Sequence, residues 1–119
     1  GKAREIPLRT AQQREVLDRA HQLAGRGSLI PASRTYIQQL RVYEGHTARA
    51  GLSKLHGLRH AYAQQRYLDL TGRACPAAGG LRADQLDGAQ KALDTAARLT
   101  ISLELGHERE QITAAYLGR

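Results

Sequence analysis

Five side chains of this sequence could act together on one anion: His56, Arg59 and His60 within five residues, His107 later, and Tyr116 close to the end. With 3.6 residues per helical turn, the first three stand at i, i+3 and i+4. They therefore share one helical face and can converge on a single anion. Arg59 suits a phosphate best, because its planar fork offers two parallel charge-assisted hydrogen bonds and stays charged. Phosphodiester transfer through a tyrosine needs a phenolate nucleophile, cations around the non-bridging oxygens and a proton donor for the leaving oxygen. This set supplies most of that. A free tyrosine has a pKa of about 10, so near pH 7 only about one phenol in a thousand is ionised, a deficit of roughly 4 kcal/mol. Tyr116 therefore needs a base or strongly positive surroundings.

The residues His56-Gly57-Leu58-Arg59-His60, then Leu105-Gly106-His107, then Tyr116 nine positions after His107 come in a telling order. The chain resembles the C-terminal half of the tyrosine recombinase (phage-type integrase) catalytic domain, whose members carry an H-x-L-R-H motif, an L-G-H motif and a nucleophilic tyrosine soon afterwards. The flanking residues look most like integrases carried by integrating mobile elements. The resemblance implies roles: His56 assists proton transfer or holds the phosphate, Arg59 clamps it, and His107 donates a hydrogen bond to a non-bridging oxygen. Tyr116 attacks, giving a 3′-phosphotyrosyl intermediate that conserves the bond's energy, so strands can be exchanged without ATP. It implies no metal or organic cofactor, double-stranded DNA as the partner, and self-association on that DNA.

The chain also departs from the family pattern. The family's earlier arginine has no counterpart here. Lys2 matches the lysine that follows the hairpin turn rather than the catalytic one. With no methionine anywhere, position 1 included, the chain reads as a piece of a longer protein, expected to bind DNA but to be poorly active alone. The separation from His56 to His107 exceeds the usual helix and turn, and residues 72–94 read as an insertion, more readily a solvated loop than a contact surface.

Taken singly, each of these residues has a plainer reading: solvated or core histidines, a surface arginine, a core-edge tyrosine. Two other functions compete with recombination. The chain could be a non-catalytic DNA-binding module, or His56 and His60 could form an i, i+4 metal pair with His107 as third ligand. Arg59 beside that pair and the lack of an acidic residue in the motif argue against the metal.

Composition bounds the rest. At 119 residues the chain reads as one domain, long enough for a real core. It has no Phe, Trp or Met, so Leu, Ile, Val, Ala and five Tyr must fill that core, a mixture that favours close-packed helices. A net charge of +7 draws it toward polyanions. A single cysteine, Cys75, excludes an intrachain disulfide and a multi-thiolate zinc site; it reads as an inert loop or surface thiol. No apolar run approaches the ~20 residues of a membrane span and no signal-type N-terminus is present, which together read as cytoplasmic.

The expected fold is mainly α, with a short β-hairpin remnant over residues 1–9, where Arg4-Glu5-Ile6-Pro7 reads as an edge strand. Thr10 should cap a helix with Val16, Leu17, Ala20, Leu23 and Ala24 on one face, stopped at Gly25. Ser33 should cap a second with Tyr36, Ile37, Leu40 and Tyr43 inward. A third, from Leu55 to Gly72, carries Leu58, Ala61, Tyr62, Gln65 and Leu68 as its apolar side and the basic motif in its first turns. All four helical tyrosines (Tyr36, Tyr43, Tyr62, Tyr67) read as packing residues. Breakers over 72–80 predict a mobile loop. A helical stripe from Leu86 to Leu105, as one helix or as two broken near Asp94-Thr95, and a last helix from Glu108 presenting Tyr116 complete the plan.

Overall fold

A computed structural model describes residues 3–52 and 56–119 of the chain. Among them five α-helices form: α1 (Ala11–Ala24), α2 (Tyr36–Arg49), α3 (Gly57–Thr71), α4 (Gly88–Leu105) and α5 (Glu110–Leu117). The chain is mainly α, as expected, and no described residue is in a strand. Residues 3–9 run without regular structure. The edge strand expected at Arg4–Ile6 does not form there, because no second extended segment pairs with it. Lys2, Ser53, Lys54 and Leu55 lie outside the described residues. None of the described helices is long and apolar enough to cross a membrane.

The chain divides into two compact units, one of residues 7–52 and the other of residues 3–6 with 56–119. In the first, α1 begins where Thr10 accepts a hydrogen bond from the Gln13 amide (3.1 Å) and ends at Gly25. The N-cap of α2 is Thr35 rather than Ser33. Thr35 and Gln38 form a reciprocal capping box that satisfies two orphan amides at once, which Ser33 cannot do from its position. Neither helix has a buried residue. Val16, Leu17, Leu23, Tyr36, Ile37 and Tyr43, expected to face inward, are exposed. The periodicity was sound for helix but not for burial, since so short a unit has too little surface to enclose an interior.

The second unit holds the core, in which α3, α4 and α5 pack pairwise. Ala63 and Tyr67 of α3, Ala97, Ile101 and Leu105 of α4, and Tyr116 and Leu117 of α5 enclose Cys75. The buried line on α3 is Ala63, Tyr67 and Thr71, whereas Leu58 and Leu68 face solvent. The expected stripe is therefore displaced, because small Ala63 lets α4 approach and Tyr67 then fills the interior in place of the missing Phe and Trp. Tyr62 and Tyr67 do serve as packing residues: each hydroxyl donates a 2.6 Å hydrogen bond to α4, Tyr62 to Glu104 and Tyr67 to Asp94. Burial and the Asp94 carboxylate push the Tyr67 phenol above its ordinary pKa, so it remains a donor.

Residues 72–94 are more structured than a solvated loop. Gly72 ends α3 in the left-handed region, Pro76–Ala78 forms a 3-10 turn packed on α5, and Cys75 and Leu86 are buried. Cys75 is thus an interior thiol, not a loop or surface one. Helix α4 runs unbroken through Asp94-Thr95, capped by Asp87 with Gln90. Asp94 does not break it because its carboxylate is bound by Arg98 one turn on (3.0 Å), which cancels the competition with the backbone.

Candidate active site

Two helix ends and one short helix bring the site together. His56 sits at the N-cap position of α3 with Arg59 and His60 in the first turn. Helix α4 ends at Leu105, and Gly106, at φ +74°, turns the chain so that His107 leads toward α5. Any other residue at Gly106 would be strained. A Cβ there would also lie 2.8 Å from an Arg4 guanidinium nitrogen. Replacing Gly106 with Ala should cost about 1–2 kcal/mol from the left-handed conformation alone, read as a lowered denaturation midpoint.

Helix α5 carries Tyr116, whose ring is buried. Its position is fixed from two sides. Gln64 of α3 donates to the Tyr116 carbonyl (3.1 Å), and Arg98 of α4 donates to the carbonyl of Gly118 (2.8 Å) while pairing with Asp94 and Glu110.

The structure brings all four sequence-predicted residues together. His56 Nε2 lies 2.8 Å from the Tyr116 hydroxyl. With the imidazole neutral and bare at Nε2, the phenol donates to it, the contact a general base requires. Arg59 donates to the Leu105 carbonyl (2.7 Å), and the same Nη2 lies 3.4 Å from His107 Nε2. The His107 ring stacks on Tyr116 with centroids 5.4 Å apart. His60, to which the resemblance gives no role, meets the Tyr116 ring edge-on at 4.2 Å.

Several residues here carried no sequence signal. Arg4 approaches Gly106 and adds positive charge beside His107. Ser102 and Thr113 lie under His107: Thr113 Oγ1 is 2.7 Å from His107 Nδ1 and 2.6 Å from Ser102 Oγ. Nothing in their spacing distinguishes these polar residues from surface ones. An open cleft of about 360 Å³, lined by residues including Arg4, Gly106 and His107, adjoins the site. A second cleft, lined by residues including Asp94, Arg98 and Glu110, shares no residue with it.

The electrostatics of the constellation are one-sided. His107 is held below the ordinary imidazole pKa, first by burial and then by the positive charge of Arg59, Arg4 and His56. A depressed base favours the neutral form in the folded state. Its contribution to stability is therefore full above the unfolded value of about 6.5 and is lost as pH falls toward its own lower pKa. No described carboxylate is hydrogen-bonded to His56, Arg59, His107 or Tyr116. No group of three His, Cys, Asp or Glu side chains among the described residues is arranged to hold a metal ion. Neither a protein family, a curated protein nor a solved structure matches this chain.

Proposed function

We propose that this chain carries the nucleophile and half of the phosphate clamp of a tyrosine recombinase that cleaves and rejoins DNA strands. The observation that carries the reading is the 2.8 Å contact between Tyr116 and His56, residues 60 positions apart, with Arg59 and His107 beside them. In the reaction, the Tyr116 oxygen passes its proton to His56 Nε2 and bonds to phosphorus. The P–O5′ bond breaks, and the 5′ oxygen leaves with a proton taken from solvent. Arg59, with Arg4 nearby, neutralises charge on the non-bridging oxygens. The 3′-phosphotyrosyl linkage retains the bond energy, so a second strand's 5′ hydroxyl can reverse the step without a cofactor. Self-association on DNA follows from the need to hold two duplexes.

The test is a covalent adduct. The natural gene product containing this chain is incubated with the DNA flanking its own gene and denatured in detergent. Protein–DNA species that survive, and that depend on Tyr116, support the reading, and their absence removes it.

A second reading, DNA binding without chemistry, is favoured by the unit of residues 7–52. It holds seven arginines against three carboxylates, a balance of +4 of the chain's +7. Six of those arginines are exposed. If about six phosphates are neutralised, the logarithm of affinity for any duplex should fall with the logarithm of salt at a slope of about −5. Filter binding or fluorescence anisotropy between 50 and 200 mM salt (about the range over which such losses are large) measures it, and a flat profile removes DNA as the partner.

A further inference from the structure

The hydroxyl pair beneath His107 has a direction. Ser102 Oγ donates its single proton to the Arg98 carbonyl (2.8 Å), which can only accept. Ser102 therefore accepts from Thr113 at 2.6 Å, and Thr113, its one proton spent, accepts from His107 at 2.7 Å. Both hydroxyl residues are buried, Thr113 completely, so water does not offer other partners. The chain of donors ends at His107 Nδ1, which must carry a hydrogen. The opposite nitrogen gives the same answer independently: Arg59 Nη2 can only donate, so His107 Nε2, 3.4 Å away, is bare.

We propose that Ser102 and Thr113 are positioning residues that lock the His107 proton on Nδ1, leaving a bare Nε2 that must take up a proton as a phosphodiester enters. The proposal rests on the phosphate-handling reading of the site. It follows from simple complementarity: a bare imidazole nitrogen repels a phosphate oxygen, whereas a protonated one donates to it. The charged and titratable groups facing His107 are Arg59 and His56 of α3, Arg4 of the N-terminal segment and Tyr116 of α5, with no carboxylate among them. Three of these groups disfavour the imidazolium in the free site, and a bound anion reverses that balance. His107 is thereby a contact that switches on with the ligand. Affinity for a phosphodiester should rise as pH falls, by up to about tenfold per unit while His107 is neutral in the free protein and charged in the complex.

Two measurements test this. Long-range proton–nitrogen NMR spectra of the free protein near pH 8 (about 1.5 units above an ordinary histidine) should show His107 protonated at Nδ1 and bare at Nε2. In Thr113→Val, which keeps the shape but removes the acceptor, only the longer Arg59 contact still favours Nδ1, so the Nε2 tautomer should become populated; Thr113→Ser should restore Nδ1. A wild-type His107 protonated at Nε2, or a tautomer unchanged in Thr113→Val, overturns the relay. Titration with dimethyl phosphate, which remains a monoanion throughout, then follows the imidazole: the His107 pKa should rise on binding, and less so in Thr113→Val. A His107 pKa unmoved by saturating dimethyl phosphate overturns the coupling. The tautomer is read without DNA, so its failure is distinct from a failure to form a Tyr116–DNA adduct.

Discussion

Replacing Tyr116 with Phe is expected to abolish the covalent protein–DNA adduct while leaving the fold and DNA binding in place. The ring supplies the packing: it is buried in the core and is met by both His60 and His107. Phe keeps all of this. The hydroxyl's hydrogen bond is to His56, an exposed residue that can turn to water, so its loss should cost about 1 kcal/mol. The chemistry has no such reserve, because the other hydroxyl held against a histidine beside Arg59, that of Thr113 on His107, is fully buried. Loss of a sole nucleophile lowers turnover by roughly 10⁴- to 10⁶-fold in well-studied enzymes. Adduct yield on denaturing gels, beside anisotropy for binding, separates the effects. An adduct that persists in Tyr116→Phe would assign the nucleophile elsewhere, and a variant that loses binding as well would mean that the phenol is structural.

The second large effect is expected at the ion pair between Arg66 and Glu104. Arg66 reaches both carboxylate oxygens (2.8 and 3.2 Å from Nε, 3.2 Å from Nη2), and the Tyr62 hydroxyl adds a fourth hydrogen bond. The side chains are only 13% and 5% exposed. The hydrogen bond and charge of Glu104 raise the Arg66 pKa further, so the guanidinium is charged at every working pH. Arg66→Ala would leave a buried carboxylate with one neutral donor, a loss of about 3 kcal/mol. For a domain of this size that lowers Tm by more than about 10 °C. Exchanging both partners for Met removes the stranded charge and should cost less than the single change. A single-variant loss below about 1 kcal/mol would show the carboxylate to be well solvated.

This pair also bears on the site, since Glu104 precedes Leu105, whose carbonyl holds Arg59. The ion pair ties α3 to α4 beside the contact that holds Arg59.

Much of the local structure was legible in the sequence. Thr10, Gly25 and Gly72 mark helix ends because caps depend on residues three or four apart, and those spacings are written in the chain. The motif residues were legible for the same reason: His56, Arg59 and His60 share a face wherever a helix forms. Burial was less so. On α3 the apolar letters include Leu58 and Leu68, yet Ala63 and Tyr67 are inside. A period identifies a helix, whereas which line of it is enclosed depends on the neighbour that arrives. Thr35 in place of Ser33 shows the same limit at short range: two residues could cap, and the one with a glutamine three positions on wins.

What the sequence by itself determined is the set of reactive groups and their local order: a basic first turn on α3, a glycine turn before His107, and a tyrosine one short helix later. Only the tertiary structure decided that these meet. The contacts from His56 to Tyr116, from Arg59 to Leu105 and His107, and from Ser102 to Thr113 span between 11 and 60 residues. They arise from the packing of three helices around Ala63, Tyr67 and Ile101. A hydrogen bond within a turn is set by backbone geometry, but one across the core depends on the summed fit of every interface between its ends, which no local pattern encodes. For the same reason Arg4 and Thr113, silent in the sequence, stand beside the histidine they influence.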